Sequence, residues 1–187
     1  MTEKMRYRDG GTGDIIETIM WMDADSTQWV DMKAAQCLRG ATLRDTLENV
    51  WRLVKRHNTY RADRPGHEQV KSPGALFTSG HGDCKSFSIA EGALLRALDI
   101  RYKYRFAAYD PGDFTHVYVM AETPVGWVPL DAVHSRPFEE VRYRKKKDIA
   151  PKNDGIAGYP QAGWFCCRFS CTEIALFGLL LISMLKK

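Results

Sequence analysis

The chain has 187 residues, 44% of them hydrophobic and 27% charged, which is the balance of one ordinary globular domain with room for a tail. A formal net charge of +4 is too mild to make nucleic acid the expected partner. The five cysteines are odd in number and irregular in spacing, which excludes a disulfide framework, and the polar start lacks the apolar stretch of a secretory signal. A reducing, cytoplasmic setting is the default expectation.

Residues Met1 to Gly13 read as a polar, glycine-rich lead-in, and 1–25 as a whole as a segment preceding the domain. Asp14 to Met22 is apolar enough for either a helix or a strand. Ser26 or Thr27 is placed to cap a helix running to about Leu38, with Gly40 ending it. Thr42 and Asp45 form a capping-box pattern, and Leu43, Leu47, Val50, Trp51 and Val54 follow at helical spacing. Lys55 and Arg56 suit the negative end of that helix. His57 to Arg61 reads as a short extended piece, and the Pro-Gly pairs after Arg64 and Ser72 mark a loop region reaching to Cys84.

From Cys84 to Leu98 the chain is apolar nearly all round, the mark of a buried central helix. Three strand-like runs follow, Arg101–Ala108, His116–Ala121 and Gly126–Asp131. Helices first, then a buried helix, then an antiparallel sheet make an α+β plan. The domain is drawn at 26–145, with 146–187 as a tail. Arg142 to Lys147, across that boundary, reads as a solvated basic loop, and Ile174 to Leu185 in the tail as an apolar helix. That helix is short for a membrane span, so packing on the core or on a partner is favoured over anchoring. Cys166, Cys167 and Cys171 in the tail read as ordinary thiols.

Cys84 occupies an unusual address. Gly82 and Asp83 precede it, and Asp83 is a plausible helix cap. A thiol in the first turn faces unpaired N–H groups and the positive end of the dipole, which favour thiolate and can stabilise an oxyanion. A small buried apolar residue is the competing reading. A thiolate nucleophile needs a histidine, and the histidine an orienting acceptor. A hairpin loop of two residues (Thr123 and Pro124) or four (Glu122 to Val125) sets His116 opposite Asp131. Directly opposed residues share a sheet face with Cβ atoms about 5 Å apart.

Taken together, Gln69-Val-Lys-Ser-Pro, Gly82-Asp-Cys84, Leu94-Leu-Arg-Ala-Leu-Asp-Ile100, His116-Val-Tyr-Val and Trp127-Val-Pro-Leu-Asp131 resemble the transglutaminase-like superfamily, in a small member of bacterial or phage type. The resemblance runs from about Thr42 to Val133. It implies a papain-like core whose central helix bears the cysteine and packs on an antiparallel sheet. It also implies Cys84 as nucleophile, His116 as general base and acid, and Asp131 as the residue that orients His116. Two positions depart from the pattern. Lys85 stands where relatives often carry an acid and is expected to point to solvent. Asp99 replaces the glycine usual at the helix end. The Cys84 N–H is one expected oxyanion donor, with Gln69 as candidate for the second and Trp51 as a weaker one.

The implied activity is hydrolysis of peptide or isopeptide amide bonds through a thioester, without cofactor. Protein-glutamine acyl transfer, an idle binding domain of the same fold, and an amidase on cell-wall peptides are the alternatives. A peptide or protein substrate is the expected partner, with further contacts through the apolar tail and no nucleic acid. Zinc is not expected, because no Cys-x-x-Cys pair exists, although His81 is near Cys84 and His116, Asp131 and His134 have the types to converge.

Overall fold

The computed structural model describes residues 4–7, 11–26, 30–64 and 67–151. In chain order the elements are β1 (Lys4–Tyr7), α1 (Thr12–Asp25), the short α2 (Met32–Ala35) with a 3-10 turn at Gln36–Leu38, α3 (Leu43–His57), β2 (Thr59–Tyr60), β3 (Glu68–Lys71), α4 (Pro73–Ser79), β4 (His81–Gly82), α5 (Cys84–Ala97), β5 (Tyr102–Ala108), β6 (His116–Thr123), β7 (Gly126–Leu130) and β8 (Lys145–Ile149). The last four form one antiparallel sheet in the order β7-β6-β5-β8. β1 pairs antiparallel with β3, and β2 pairs parallel with β4.

The centre of the molecule is α5, as its uniform apolarity predicts. Phe87, Ile89, Ala90, Leu94 and Leu95 are all buried, shared between the sheet on one side and α1, α3 and α4 on the others. At Gly92 this helix lies close against side chains of the sheet. A Cβ there would lie 2.5 Å from the Tyr104 hydroxyl and 2.8 Å from the Tyr102 ring. α3 carries the capping box in full: Asp45 N–H donates to Thr42 Oγ1 (3.1 Å) and Thr42 N–H to Asp45 Oδ2 (3.0 Å). Its buried face is Leu47, Val50, Trp51 and Val54.

Several segments differ from their sequence reading, each for a local reason. The lead-in contains β1 and α1, and α1 buries Ile19 and Met22 in the core. Ser26 does not open a helix. It closes α1, its hydroxyl donating to the Asp23 carbonyl (2.6 Å). The Ser72-Pro-Gly stretch is a helix start: Ser72 caps α4 by accepting from Ala75 N–H (3.2 Å), and proline suits the first turn because it lacks a donor needed there. The basic loop is partly strand, since Lys145–Ile149 forms the exposed edge β8. Lysines on such an edge discourage strand addition by other chains. Asp99 sits at φ 56°, the left-handed region for which a glycine is usual and which aspartate tolerates. No helix among the described residues is long and apolar enough to cross a membrane. Gln161–Lys187, with Cys166, Cys167, Cys171 and the apolar run Ile174–Leu185, lies outside the described residues.

The far end of α5 is tied by a buried polar knot. Asp23 of α1 accepts from the hydroxyls of Tyr102 (2.5 Å) and Tyr104 (2.6 Å) and pairs with the Arg96 guanidinium. Arg96 also donates to the Asp23 carbonyl (2.7 Å). Removing the carboxylate strands a cation and two phenols. Asp23→Ala is therefore expected to lower unfolding free energy by about 3–5 kcal/mol, read from urea denaturation. A loss below about 1 kcal/mol, the scale of an exposed pair, would mean that the knot is solvated.

Candidate active site

Cys84 is the first residue of α5, and Asp83 is its cap. Asp83 Oδ1 accepts from the Ser86 N–H (3.1 Å) and the Ser86 hydroxyl (3.0 Å). The Phe87 N–H takes the Asp83 carbonyl (3.0 Å). The N–H groups of Cys84 and Lys85 remain, having no acceptor within the helix. The Ser88 hydroxyl lies 2.7 Å from the Cys84 carbonyl and 2.9 Å from the Val117 carbonyl, joining the cysteine turn to the strand that begins with His116.

Lys85 corrects its expectation. It does not point to solvent. Its buried ammonium sits among three carboxylates, Glu68 (2.6 Å), Asp63 (3.3 Å) and the adjacent Asp83. Burial alone pulls its pKa down, but the charge and hydrogen bond of Asp83 and the hydrogen bond of Glu68 push it well above the ordinary lysine value. The cluster fastens the chain between β2 and β3 to the start of α5, and Asp63 also accepts from the Gln69 N–H (2.6 Å).

His116 and Asp131 meet, though not by the expected register. The hairpin pairs Thr123 with Gly126 and Met120 with Pro129, so its loop is Pro124 and Val125. Gly126 at φ 120° and the Thr123 hydroxyl donating to the Gly126 carbonyl (2.6 Å) fix that turn. The shift is two residues, which preserves the face of every side chain. Asp131 therefore lies diagonal to His116 instead of opposite it, a spacing of about 7–8 Å that the imidazole spans. His116 Nε2 is 2.6 Å from Asp131 Oδ2. Cys84 is near enough for its charge to bear on the ring as well. Burial pulls the His116 pKa down. The hydrogen bond to Asp131 and the charges of Cys84 and Asp131 outweigh it and hold the pKa up at about 10. The ring stacks on Tyr118 (5.7 Å between centroids) and tilts against Tyr109 (5.9 Å), both favourable to a cationic imidazole.

Asp131 is held in its turn. Its Oδ1 accepts from the Val133 N–H (2.9 Å), and its carbonyl accepts from the Trp51 indole (2.9 Å). Lys55 of α3 donates to the Val133 carbonyl (2.9 Å). The Trp51 donor is thus occupied behind Asp131 and is not aimed at a reacting carbonyl, which removes it as an oxyanion candidate. Gln69 lies on β3, its side chain lining a polar cleft of about 660 Å³ with Arg61, Asp63, Glu68 and Asp83, and Cys84 does not line that cleft. His81 is engaged elsewhere, its Nδ1 lying 2.8 Å from the Ser79 carbonyl.

Three residues around the site were not singled out in the sequence, and a fourth, His134, only as a possible metal ligand. Glu91, two turns along α5 from Cys84, is completely buried, and neither carboxylate oxygen has a hydrogen-bond partner of normal geometry. Burial first, then repulsion by Asp131, raises its pKa well above the ordinary carboxylate value. A lone acid in an otherwise apolar helix was the available signal. Tyr60 has its pKa raised by burial and then by the charge of Cys84, and burial and then Asp131 push Tyr109 up to about 12. His134 places its Nε2 3.4 Å from Asp131 Oδ2.

A cysteine-bearing central helix packed on an antiparallel sheet, with histidine at the start of one strand and aspartate directly after its neighbour, defines the papain-like α+β core. Within that class the chain belongs to the transglutaminase-like superfamily, whose family model matches residues 21–132. Among solved structures, a candidate cysteine protease from Cytophaga hutchinsonii is 20% identical with a TM-score of 0.47, over 70% of this chain and 49% of its own. A candidate protease from Parabacteroides distasonis is 10% identical with a TM-score of 0.48, over 64% of this chain and 26% of its own. LapG of Legionella pneumophila is 23% identical with a TM-score of 0.48, over 66% of this chain and 74% of its own. The chain thus spans about half the length of the first and a quarter of the second. Comparison with curated proteins gives no match.

Two outcomes follow from these charges. Lys85→Met leaves three carboxylates facing one another, so it is expected to destabilise by about 3–5 kcal/mol at pH 7, and by less near pH 4 where carboxylates protonate. Urea unfolding at both pH values checks this. His116 has a folded pKa above its unfolded value of 6.5, so its stabilisation is complete below about 6.5 and is lost as pH rises through about 10. The melting-temperature gap between wild type and His116→Gln should accordingly shrink from pH 6 to pH 10.5, and a gap that widens would reverse the assignment.

Proposed function

We propose that the protein is a thiol hydrolase that cleaves peptide or isopeptide amide bonds, with Cys84 as nucleophile, His116 as acid and base, and Asp131 as the residue orienting His116. One observation carries this reading: the His116 imidazole bonds Asp131 through Nε2 at 2.6 Å, and Cys84, the first residue of α5, is near enough to help raise its pKa. Membership of the superfamily supports it.

The Cys84 sulfur, as thiolate, attacks the amide carbon while the carbonyl π pair moves to oxygen. The oxyanion receives the Cys84 N–H, one of the free first-turn donors. Gln69 stays a candidate for the second donor. The intermediate collapses, the C–N bond breaks, and imidazolium His116 gives its proton to the leaving amine. This leaves a thioester and neutral His116. His116 then takes a proton from water as the oxygen attacks the thioester. Collapse of the second intermediate releases the acid and restores the thiolate–imidazolium pair. An amine in place of that water gives acyl transfer by the same steps.

Labelling of Cys84 by a thiol reagent across pH tests the activation. In wild type the rate is expected to stay high well below pH 8.5, the ordinary thiol value. In His116→Ala it should drop at least tenfold at pH 6.5 and rise as an ordinary thiol does. Identical profiles in the two proteins would sink the proposal. Incubation with a peptide library, then with a glutamine peptide and a labelled amine, separates hydrolysis, transfer and an idle domain. Hydrolysis that vanishes in Cys84→Ser is the expected result.

A further inference from the structure

We propose that His116, Asp131 and His134 form a binding site for a borderline transition-metal cation such as Zn²⁺, and that occupancy reversibly withholds His116 from Cys84. The regulatory half rests on the reading of Cys84 and His116 as a catalytic pair; the binding half stands without it.

The donor atoms of the three residues all lie within 4.8 Å of one another. Both imidazoles turn Nε2 toward the same carboxylate oxygen, Asp131 Oδ2, at 2.6 Å for His116 and 3.4 Å for His134. The other oxygen is occupied by the Val133 N–H at 2.9 Å, so Oδ2 is presented as a single, fixed donor. Two donors on a tetrahedral Zn²⁺ sit about 3.3 Å apart, given bonds of about 2.0 Å. The Asp131–His134 spacing meets that already, and the His116–Asp131 spacing needs to open by about 0.7 Å. Two imidazoles and one carboxylate select zinc, cobalt, nickel or copper over calcium or magnesium. The approach is from the His134 side, whose side chain is 24% exposed against 4% for Asp131. A water completes the coordination there.

His134 has no other role in view. Its Nε2 contacts Asp131, and its ring lies edge-on to His116 at 6.0 Å. Its backbone N–H merely closes the turn onto the Asp131 carbonyl (3.2 Å). A cation on the three donors displaces the Nε2 proton of His116 and breaks its bond to Asp131. The imidazole is then unable to become the acid that protonates a leaving amine. The second acidic trio, Asp63, Glu68 and Asp83, is not such a site, because the Lys85 ammonium already fills it.

The test is calorimetric titration of Zn²⁺ into the full chain, its His134→Asn variant and its Cys84→Ser variant, with near-ultraviolet circular dichroism to confirm folding. Wild type and Cys84→Ser should share a site whose affinity falls by about tenfold or more in His134→Asn, the scale produced by losing even a residue that supports a ligand. Equal affinity in wild type and His134→Asn overturns the proposal, as does loss in Cys84→Ser with retention in His134→Asn. Should His134→Asn misfold, His134→Gln carries the same comparison. Cobalt substitution adds a second readout: visible bands without a sulfur charge-transfer band are expected, and a strong sulfur band overturns the assignment. Zn²⁺ should also slow Cys84 labelling in wild type, reversibly on chelation. If the chain cleaves no amide at all, the calorimetric and cobalt results still decide the site.

Discussion

Asp131 is the point through which the functional end of the molecule is held together. Its carboxylate takes His116 Nε2 and the Val133 N–H, and its carbonyl takes the Trp51 indole. These bonds join β6, the chain after β7, and α3. A carboxylate engaged in this way cannot rotate without giving up both of its hydrogen bonds, so the plane of the His116 ring is set by the fold. Tyr118 reinforces it from beneath, and its own hydroxyl bonds Glu140 (2.6 Å), which pairs with Arg105 (2.7 Å). Arg105 in turn grips Asp148 on β8 through two bonds of 2.7 Å. A line of polar contacts therefore runs from the outer edge of the sheet to the imidazole.

The helix that offers Cys84 is restrained at both ends by unlike devices. Its start is fixed by charge, with Lys85 among Asp63, Glu68 and Asp83. Its end is fixed by the Asp23 knot with Arg96, Tyr102 and Tyr104. Between them lies apolar packing and the buried Glu91, whose pKa is raised by burial and by the charge of Asp131.

What could be read from the sequence was whatever a few neighbouring residues decide. The Thr42–Asp45 box, the Asp83 cap, the apolar α5 and the three strands after it depend on local spacing, and they stand as expected. The family likeness rested on the same segments. Lys85 was misplaced because Asp63 and Glu68 reach it from a different segment, and no local rule brings them there. The hairpin register slipped by two because turn chemistry permits several loops, and the choice fell to Gly126. Yet the pairing of His116 with Asp131 survived the slip, since a shift of two keeps side chains on their faces. α4 was hidden because Pro-Gly signals a turn and a helix start alike.

Gly92 has a consequence for the cysteine eight residues away. The bare backbone there lets α5 lie against the hydroxyl of Tyr104, and any side chain would prise the two apart. At about 1.5 Å per residue the helix reaches roughly 12 Å from that contact to Cys84. A side chain at Gly92 has to displace either the helix that carries Cys84 or the two phenols of the Asp23 knot. The seating of the helix behind the thiol is thus set by the smallest residue on its opposite half, far from any chemistry.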